Sequence, residues 1–258
     1  MNTPKQTFHA NSLGELACTV VDGSDAPTLP VILCHGYGAP GDDLVGLTDY
    51  LFQKLGPVGT SVRFVFPVAP GDLADQGMPG GRAWWPLNMA SLQQLLQTSQ
   101  FEQLHDQTPP GIDDASQKLT STVRAVLESM PNAKANAQVP YVLGGFSQGA
   151  MVTMNVALTS ELPPPEILVQ FSGTLVCGPQ WIEAASKKGK ARLASTRVLQ
   201  SHGTMDSILP FSSAATLADT LNEEAAEWEF RPFQGPHTIE AGTLDQLAKW
   251  ILELTDGQ

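Results

Sequence analysis

What most constrains this chain is an alternation. Short runs that are apolar almost throughout are each followed by a longer stretch with helical spacing. "LPVILCHG" leads into "DDLVGLTDYLFQKLG"; "VRFVFPVAP" comes next, and "GIDDASQKLTSTVRAVLESM" after a gap; "VPYVLGGF" runs straight into "QGAMVTMNVALTS"; "EILVQFSG" follows; "TRVLQSHG" precedes "PFSSAATLADTLNEE", and "AEWEFRPF" precedes "TLDQLAKWILEL". Continuous apolar runs of this length suit strands buried on both faces. Strands alternating with helices predict an α/β fold, a mainly parallel central sheet with helices on both faces. Within the helix before "VPYVLGGF", Leu119, Val123, Val126, Leu127 and Met130 recur at the spacing of one stripe and are assigned to the core. With no internal repeat, residues 1–258 read as a single domain. A helical insertion near residues 88–108 interrupts the alternation, with Leu92, Leu95, Leu96, Phe101 and Leu104 on "LQQLLQTSQFEQL". It is expected to pack on the body as an extra helix; a lid over an apolar pocket is the sharper alternative.

Composition removes several function classes. Hydrophobic residues make up 42% and charged residues 16% of the 258 positions, which fits a soluble, folded chain. The formal net charge is −12, with only 14 Lys and Arg, so neither nucleic acid nor an anionic membrane surface is an expected partner. Cys18, Cys34 and Cys177 are too few and too scattered for a disulfide framework or a Cys-x-x-Cys metal site, and are read as buried thiols. The N-terminal stretch lacks the apolar core of a signal peptide, and no run is long enough to span a bilayer, so a cytoplasmic location is the expectation.

The chemistry is concentrated in "YVLGGFSQGAMVTM", Tyr141 to Met154, where a strand-like run ends in Gly-x-Ser-x-Gly and a helix-like run begins. That context is the one a nucleophile elbow requires: a sharp strand-to-helix turn that exposes a serine and needs small neighbours. Gly145 and Gly149 relieve the crowding and Ser147 is the candidate nucleophile. A serine hydroxyl at neutral pH needs a base. Of the five histidines, His9 and His105 are expected at the surface. His35 and His202 each end a strand and precede Gly, which favours a structural hydrogen bond, although His202 stays open as a base. His237, in "FQGPHTIE" between the last strand and the last helix, is the preferred base. The carboxylate that fixes its tautomer is assigned to Asp206, in "SHGTMDSILP", ahead of Asp219 and Asp245, which lie in helix patterns. The resulting chain order, Ser, Asp, His, is that of an α/β-hydrolase. Two backbone amides are expected to form the oxyanion hole: that of Gln148, following the nucleophile, and that of Tyr37, in the glycine loop "LCHGYGAPGDD".

With "LCHGYG", "GGRAWWPL", "GGFSQGAM", "QSHGTMDSILP" and "GPHTIE" in this order, the chain from about Leu29 to the last helix resembles the phospholipase/carboxylesterase family of α/β-hydrolases, which includes acyl-protein thioesterases and small bacterial carboxylesterases. The resemblance implies a Ser147–Asp206–His237 triad, a hole formed by the Tyr37 and Gln148 amides, a small acyl ester or thioester as substrate, and no metal or organic cofactor. It also puts Trp84, Trp85 and Ile208 at positions that in relatives lie near the acyl channel, with plain packing as the alternative for each. Two departures concern specificity: Tyr37 stands where many relatives have Leu, and "WWPLN" lacks the acidic residue that follows the corresponding Trp in relatives. The expected activity is carboxylesterase or thioesterase. Lysophospholipase, peptidase and amidase are neighbouring reactions, and a non-catalytic scaffold that binds a ligand or partner is the alternative from another class.

Overall fold

The computed structural model describes residues 7–133, 138–186, 189 and 191–256. An antiparallel hairpin, β1 (Thr7–Leu13) and β2 (Leu16–Asp22), comes first. Next come β3 (Leu29–Cys34), α1 (Leu47–Leu55) and β4 (Val62–Pro67), then a small antiparallel ribbon of β5 (Gly71–Asp72) and β6 (Arg82–Ala83). Two helices, α2 (Met89–Gln97) and α3 (Ile112–Glu128), lead to β7 (Val142–Phe146) and α4 (Gln148–Thr159). The remainder is β8 (Ile167–Phe171), α5 (Gly178–Ala185), β9 (Arg197–Gly203), α6 (Phe211–Leu221), β10 (Glu227–Phe233) and α7 (Ala241–Asp256).

Eight strands form one sheet in the order β1-β2-β4-β3-β7-β8-β9-β10. From β4 through β10 neighbouring strands are parallel, and β2 joins β4 antiparallel. The expected α/β architecture is therefore present. The alternation did not reveal the opening hairpin, because β2 carries both buried and exposed positions and lacks the continuous apolar run of the inner strands.

Apolar side chains fill both sides of the sheet. On one side Leu119 and Val123 of α3, Val152 and Val156 of α4, Trp181 of α5 and Leu217 of α6 pack onto Ile32, Leu143, Leu168 and Val198. On the other, Leu51 and Phe52 of α1 and Leu247 and Trp250 of α7 cover Val31, Phe64, Val142 and Val169. The stripe expected on α3 is buried at Leu119, Val123, Val126 and Met130, while Leu127 is half-buried. Helix α4 is buried from Gln148 to Leu158 on every side, which explains why its sequence carries small and apolar residues all round instead of one apolar face. Because the central strands run parallel, the loops after β3, β7, β9 and β10 emerge at the same sheet edge, where ligands of open α/β sheets bind.

Candidate active site

At the turn from β7 into α4, Ser147 has φ 56° and ψ −119°. For a residue with a Cβ this left-handed conformation costs on the order of 1–3 kcal/mol and persists only when its surroundings hold it. The Ser147 N–H donates to the Phe171 carbonyl at 2.8 Å, which ties the turn to the end of β8. The flanking glycines allow the strand and helix to meet: a Cβ on Gly145 would lie 2.5 Å from the Cys34 carbonyl oxygen, and one on Gly149 would run into the carbonyl oxygens of Cys34 and His35.

His237 and Asp206 come together across the ends of β9 and β10. The loop carrying His237 crosses directly over Gly203, where any Cβ would strike the carbonyl oxygens of Gly235 and Pro236. Met205 N–H donates to the Gly235 carbonyl at 3.0 Å, fastening the Asp206 loop to the His237 loop. His237 Nδ1 lies 2.6 Å from Asp206 Oδ2, and the imidazole packs on the Phe146 ring at 4.7 Å between centroids. Asp206 Oδ1 accepts from the N–H groups of Ile208 at 2.8 Å and Leu209 at 2.9 Å. Burial by itself would raise the Asp206 carboxyl, but the hydrogen-bonding groups of His202, His237 and Leu209 outweigh it and hold the group well below the usual carboxylate range. An ionised Asp206 can only accept, so His237 carries its proton on Nδ1 and leaves Nε2 as a free base. Ser147 and His237 line the same cavity, of about 410 Å³.

Tyr37 and Gln148, expected to supply the two oxyanion donors, line the same cavity as Ser147. Gln148 is the first residue of α4, so its N–H has no acceptor within its own helix. The loop after β3 passes close by, with Gly36 leaving only 3.3 Å between a notional Cβ and Ser147 Cβ. Gly38 N–H donates to the Arg82 carbonyl at 2.8 Å, whereas the Tyr37 amide donates to no carbonyl or side chain among the described residues. His35 fixes this loop. Its Nε2 accepts from the Ala69 N–H at 3.0 Å, which puts the proton on Nδ1 for the Gly36 carbonyl at 2.8 Å. Burial lowers the His35 pKa, in keeping with a neutral structural imidazole.

A second role of Gln148 was not legible in the sequence. Its side-chain Oε1 accepts from the Trp84 N–H at 2.8 Å and its Nε2 donates to the Trp85 carbonyl at 2.9 Å. The residue after Ser147 thereby clamps the backbone that presents Trp85 to the cavity. Of the three residues expected at the acyl channel, Trp85 and Ile208 line the cavity and Trp84 does not. Trp84 is 2% exposed and its indole N–H donates to the His35 carbonyl at 2.9 Å, so it braces the loop before Tyr37. Both tryptophans lie in the bend that follows β6, where no regular alternation applies, and the dipeptide alone does not say which Trp faces the cavity.

The insertion does more than pack on the body. Leu92, Leu96 and Leu104 rest against the core, but no residue of α2 is fully buried, and Leu92, Leu95, Phe101 and Leu104 form a wall of the cavity. Its leucine face was visible in the sequence; what it faces was not. His105, expected at the surface, is 7% exposed and tucked against Phe101. His9 lies in β1, its side chain outside the described residues. Cys18, Cys34 and Cys177 are buried free thiols. Among the described residues no group of three or more His, Cys, Asp or Glu side chains is arranged to hold a metal ion, and no helix is long and apolar enough to cross a membrane.

A family model described as Phospholipase/Carboxylesterase matches residues 16–254. The chain is 27% identical over 186 residues to acyl-protein thioesterase 1 of Eremothecium gossypii, covering 71% of this chain and 68% of that protein. It is 23% identical over 245 residues to acyl-protein thioesterase 1 of Mycosarcoma maydis, covering 90% and 93%. Among solved structures, esterase PE8 superimposes with a TM-score of 0.68 at 25% identity, over 96% of this chain and 99% of that one.

Proposed function

The chain belongs to the phospholipase/carboxylesterase family, and from that premise we propose that it hydrolyses carboxylic esters or thioesters through an acyl-enzyme on Ser147. The observation that carries this reading is the 2.6 Å contact between Asp206 and His237, with His237 lining a cavity that Ser147 also lines.

In the proposed mechanism the Ser147 Oγ proton passes to His237 Nε2 as Oγ attacks the acyl carbonyl carbon. The oxyanion that forms accepts from the Tyr37 and Gln148 amides, and the position of Gln148 at the start of α4 adds the favourable end of the helix dipole. Asp206 stabilises the resulting imidazolium through Nδ1. Nε2–H then protonates the departing alkoxide or thiolate, and the acyl group stays on Oγ. Water repeats the sequence in reverse: its proton goes to Nε2, its oxygen attacks the acyl carbon, and Ser147 leaves with the proton back on Oγ. The wall of leucines, Phe101, Trp85 and Met151 suits an aliphatic acyl chain, for which burial is favourable by about 0.8 kcal/mol per methylene.

Ser147→Ala is expected to lower kcat by about 10⁴-fold or more if the three side chains act as a unit. A fluorophosphonate probe should label Ser147 in the unaltered protein. A variant hydrolysing p-nitrophenyl esters or acyl thioesters at the original rate, or an unlabelled parent, refutes the reading and leaves the binding-scaffold alternative in its place.

A further inference from the structure

We infer that His202 is a positioning residue for Asp206: one ring N–H of this second, wholly buried histidine holds both the turn that carries the carboxylate and the carboxylate itself. The inference rests on the reading of Asp206 and His237 as the working pair.

Two oxygens converge on His202 Nε2. The Leu209 carbonyl oxygen is 2.8 Å away and receives the better-aligned N–H, and Asp206 Oδ2 is 3.1 Å away. Both are acceptors, so Nε2 must be the protonated nitrogen. The side chains of His202 and Asp206 are each 0% exposed, and His202 Nδ1 is buried with no hydrogen-bond partner among the described residues. Placing a proton there would bury an N–H with nothing to accept it. His202 is therefore a neutral imidazole with its single donor aimed at the Asp206 turn. The nearest aromatic neighbour from α6 is the Phe211 ring, 6.3 Å between centroids, which offers no competing acceptor.

The consequence for Asp206 is a full cage. Two amides hold Oδ1, and the two imidazoles face Oδ2 from β9 on one side and from the loop after β10 on the other. These two histidines are the titratable groups that face the carboxylate among the described residues. With Oδ2 held between them, the carboxylate cannot swing away from His237 without breaking its contact to His202. Because His202 is neutral, it supplies a donor without adding a positive charge that would compete with the imidazolium on His237. Hydrogen bonding by His202 also contributes to the low pKa of Asp206.

The test compares His202→Phe, which keeps a ring and removes the donor, with His202→Gln, whose terminal amide can stand in for Nε2. Hydrolysis of a p-nitrophenyl ester is followed from pH 5 to 9, with denaturation curves for each variant. His202→Phe is expected to lower kcat at least tenfold with KM within about twofold. Its acid limb should move to higher pH, since losing a donor raises the Asp206 carboxyl and also strengthens that carboxylate's hold on a protonated His237. His202→Gln should recover most of the rate and of the limb position. A folded His202→Phe with the parent's kcat and an unmoved limb overturns the inference, as does His202→Gln failing to differ from it. If His202→Phe does not fold, ¹⁵N ring shifts of the unaltered protein decide: His202 is expected as the neutral Nε2–H tautomer across the acid limb, and an Nδ1–H tautomer, or titration in step with the limb, overturns it. Fluorophosphonate labelling of the parent separates the two levels. An unlabelled parent defeats the hydrolase reading together with this one; a labelled parent with unaffected variants defeats this one alone.

Discussion

Gly145→Ala is a sharp probe of the elbow because two effects of opposite sign compete there. Replacing a strand glycine with alanine ordinarily stabilises by about 0.5–1 kcal/mol, through the lower entropy of the unfolded chain. Here the added methyl carbon would sit 2.5 Å from the Cys34 carbonyl oxygen and 2.5 Å from the Gly149 carbonyl carbon, where ordinary contact begins at 3.4 Å. Both neighbours are backbone, one in β3 and one in α4, so no side-chain rotation relieves the clash. The elements must part by about an ångström, and overpacking of this kind costs about 1–3 kcal/mol. At the midpoints of these two ranges the clash wins, for a net destabilisation of about 1 kcal/mol and a Tm lower by about 2–4 °C for a chain of this size. The rate should suffer more than the stability. The displaced parts carry Ser147 and, through His35 and Gly36, the Tyr37 amide, and a misplacement of about 1 Å costs about 10²-fold. Urea denaturation and initial rates on a p-nitrophenyl ester read the two quantities separately. Gly46→Ala is the control: this glycine has φ −58° and nothing within 4 Å of its notional Cβ, so the same substitution there should be neutral or slightly stabilising. A Gly145→Ala protein as stable and as fast as the control refutes the argument that close backbone approach shapes this turn.

Two further outcomes follow from the site. Asp206 has a depressed folded-state pKa, so its contribution to stability is present above the unfolded value of about 4 and is lost as pH falls through the folded one. Asp206→Asn should therefore be less stable than the parent at pH 7, with the gap closing as pH drops below about 4; a gap constant with pH in denaturant titrations contradicts the assignment. Leu92→Trp adds bulk to the cavity wall contributed by α2. It should lower kcat/KM for long-chain p-nitrophenyl esters at least tenfold while leaving the acetate ester within about threefold, and equal losses at all chain lengths count against the cavity as the acyl site.

The sheet was legible because the inner strands are apolar over most of their length on both faces, a pattern that survives without knowing their neighbours. The turn at Ser147 was legible for a similar reason: glycines at 145 and 149 and the change from strand to helix are local signals. His237 and Asp206 could be ranked by their positions after consecutive strands, and the structure brings their side chains into contact. What escaped were properties set by distant backbone. His105 is buried because residues 105 and 107 pair with the start of α5, and nothing in the polar run around it signals that. Trp84 and Trp85 are adjacent and identical in type, yet one braces the loop before Tyr37 and the other faces the cavity. The clamp made by the Gln148 side chain spans more than sixty positions.

That clamp gives one glutamine two attachments, a backbone position next to Ser147 and a carboxamide gripping the tryptophan backbone. If Ser147 is the nucleophile as proposed, selectivity and turnover are mechanically linked: remodelling the Trp84–Trp85 segment to admit a different chain would tug on the first turn of α4, so variants with altered preference should show altered speed unless position 148 is re-tuned alongside them.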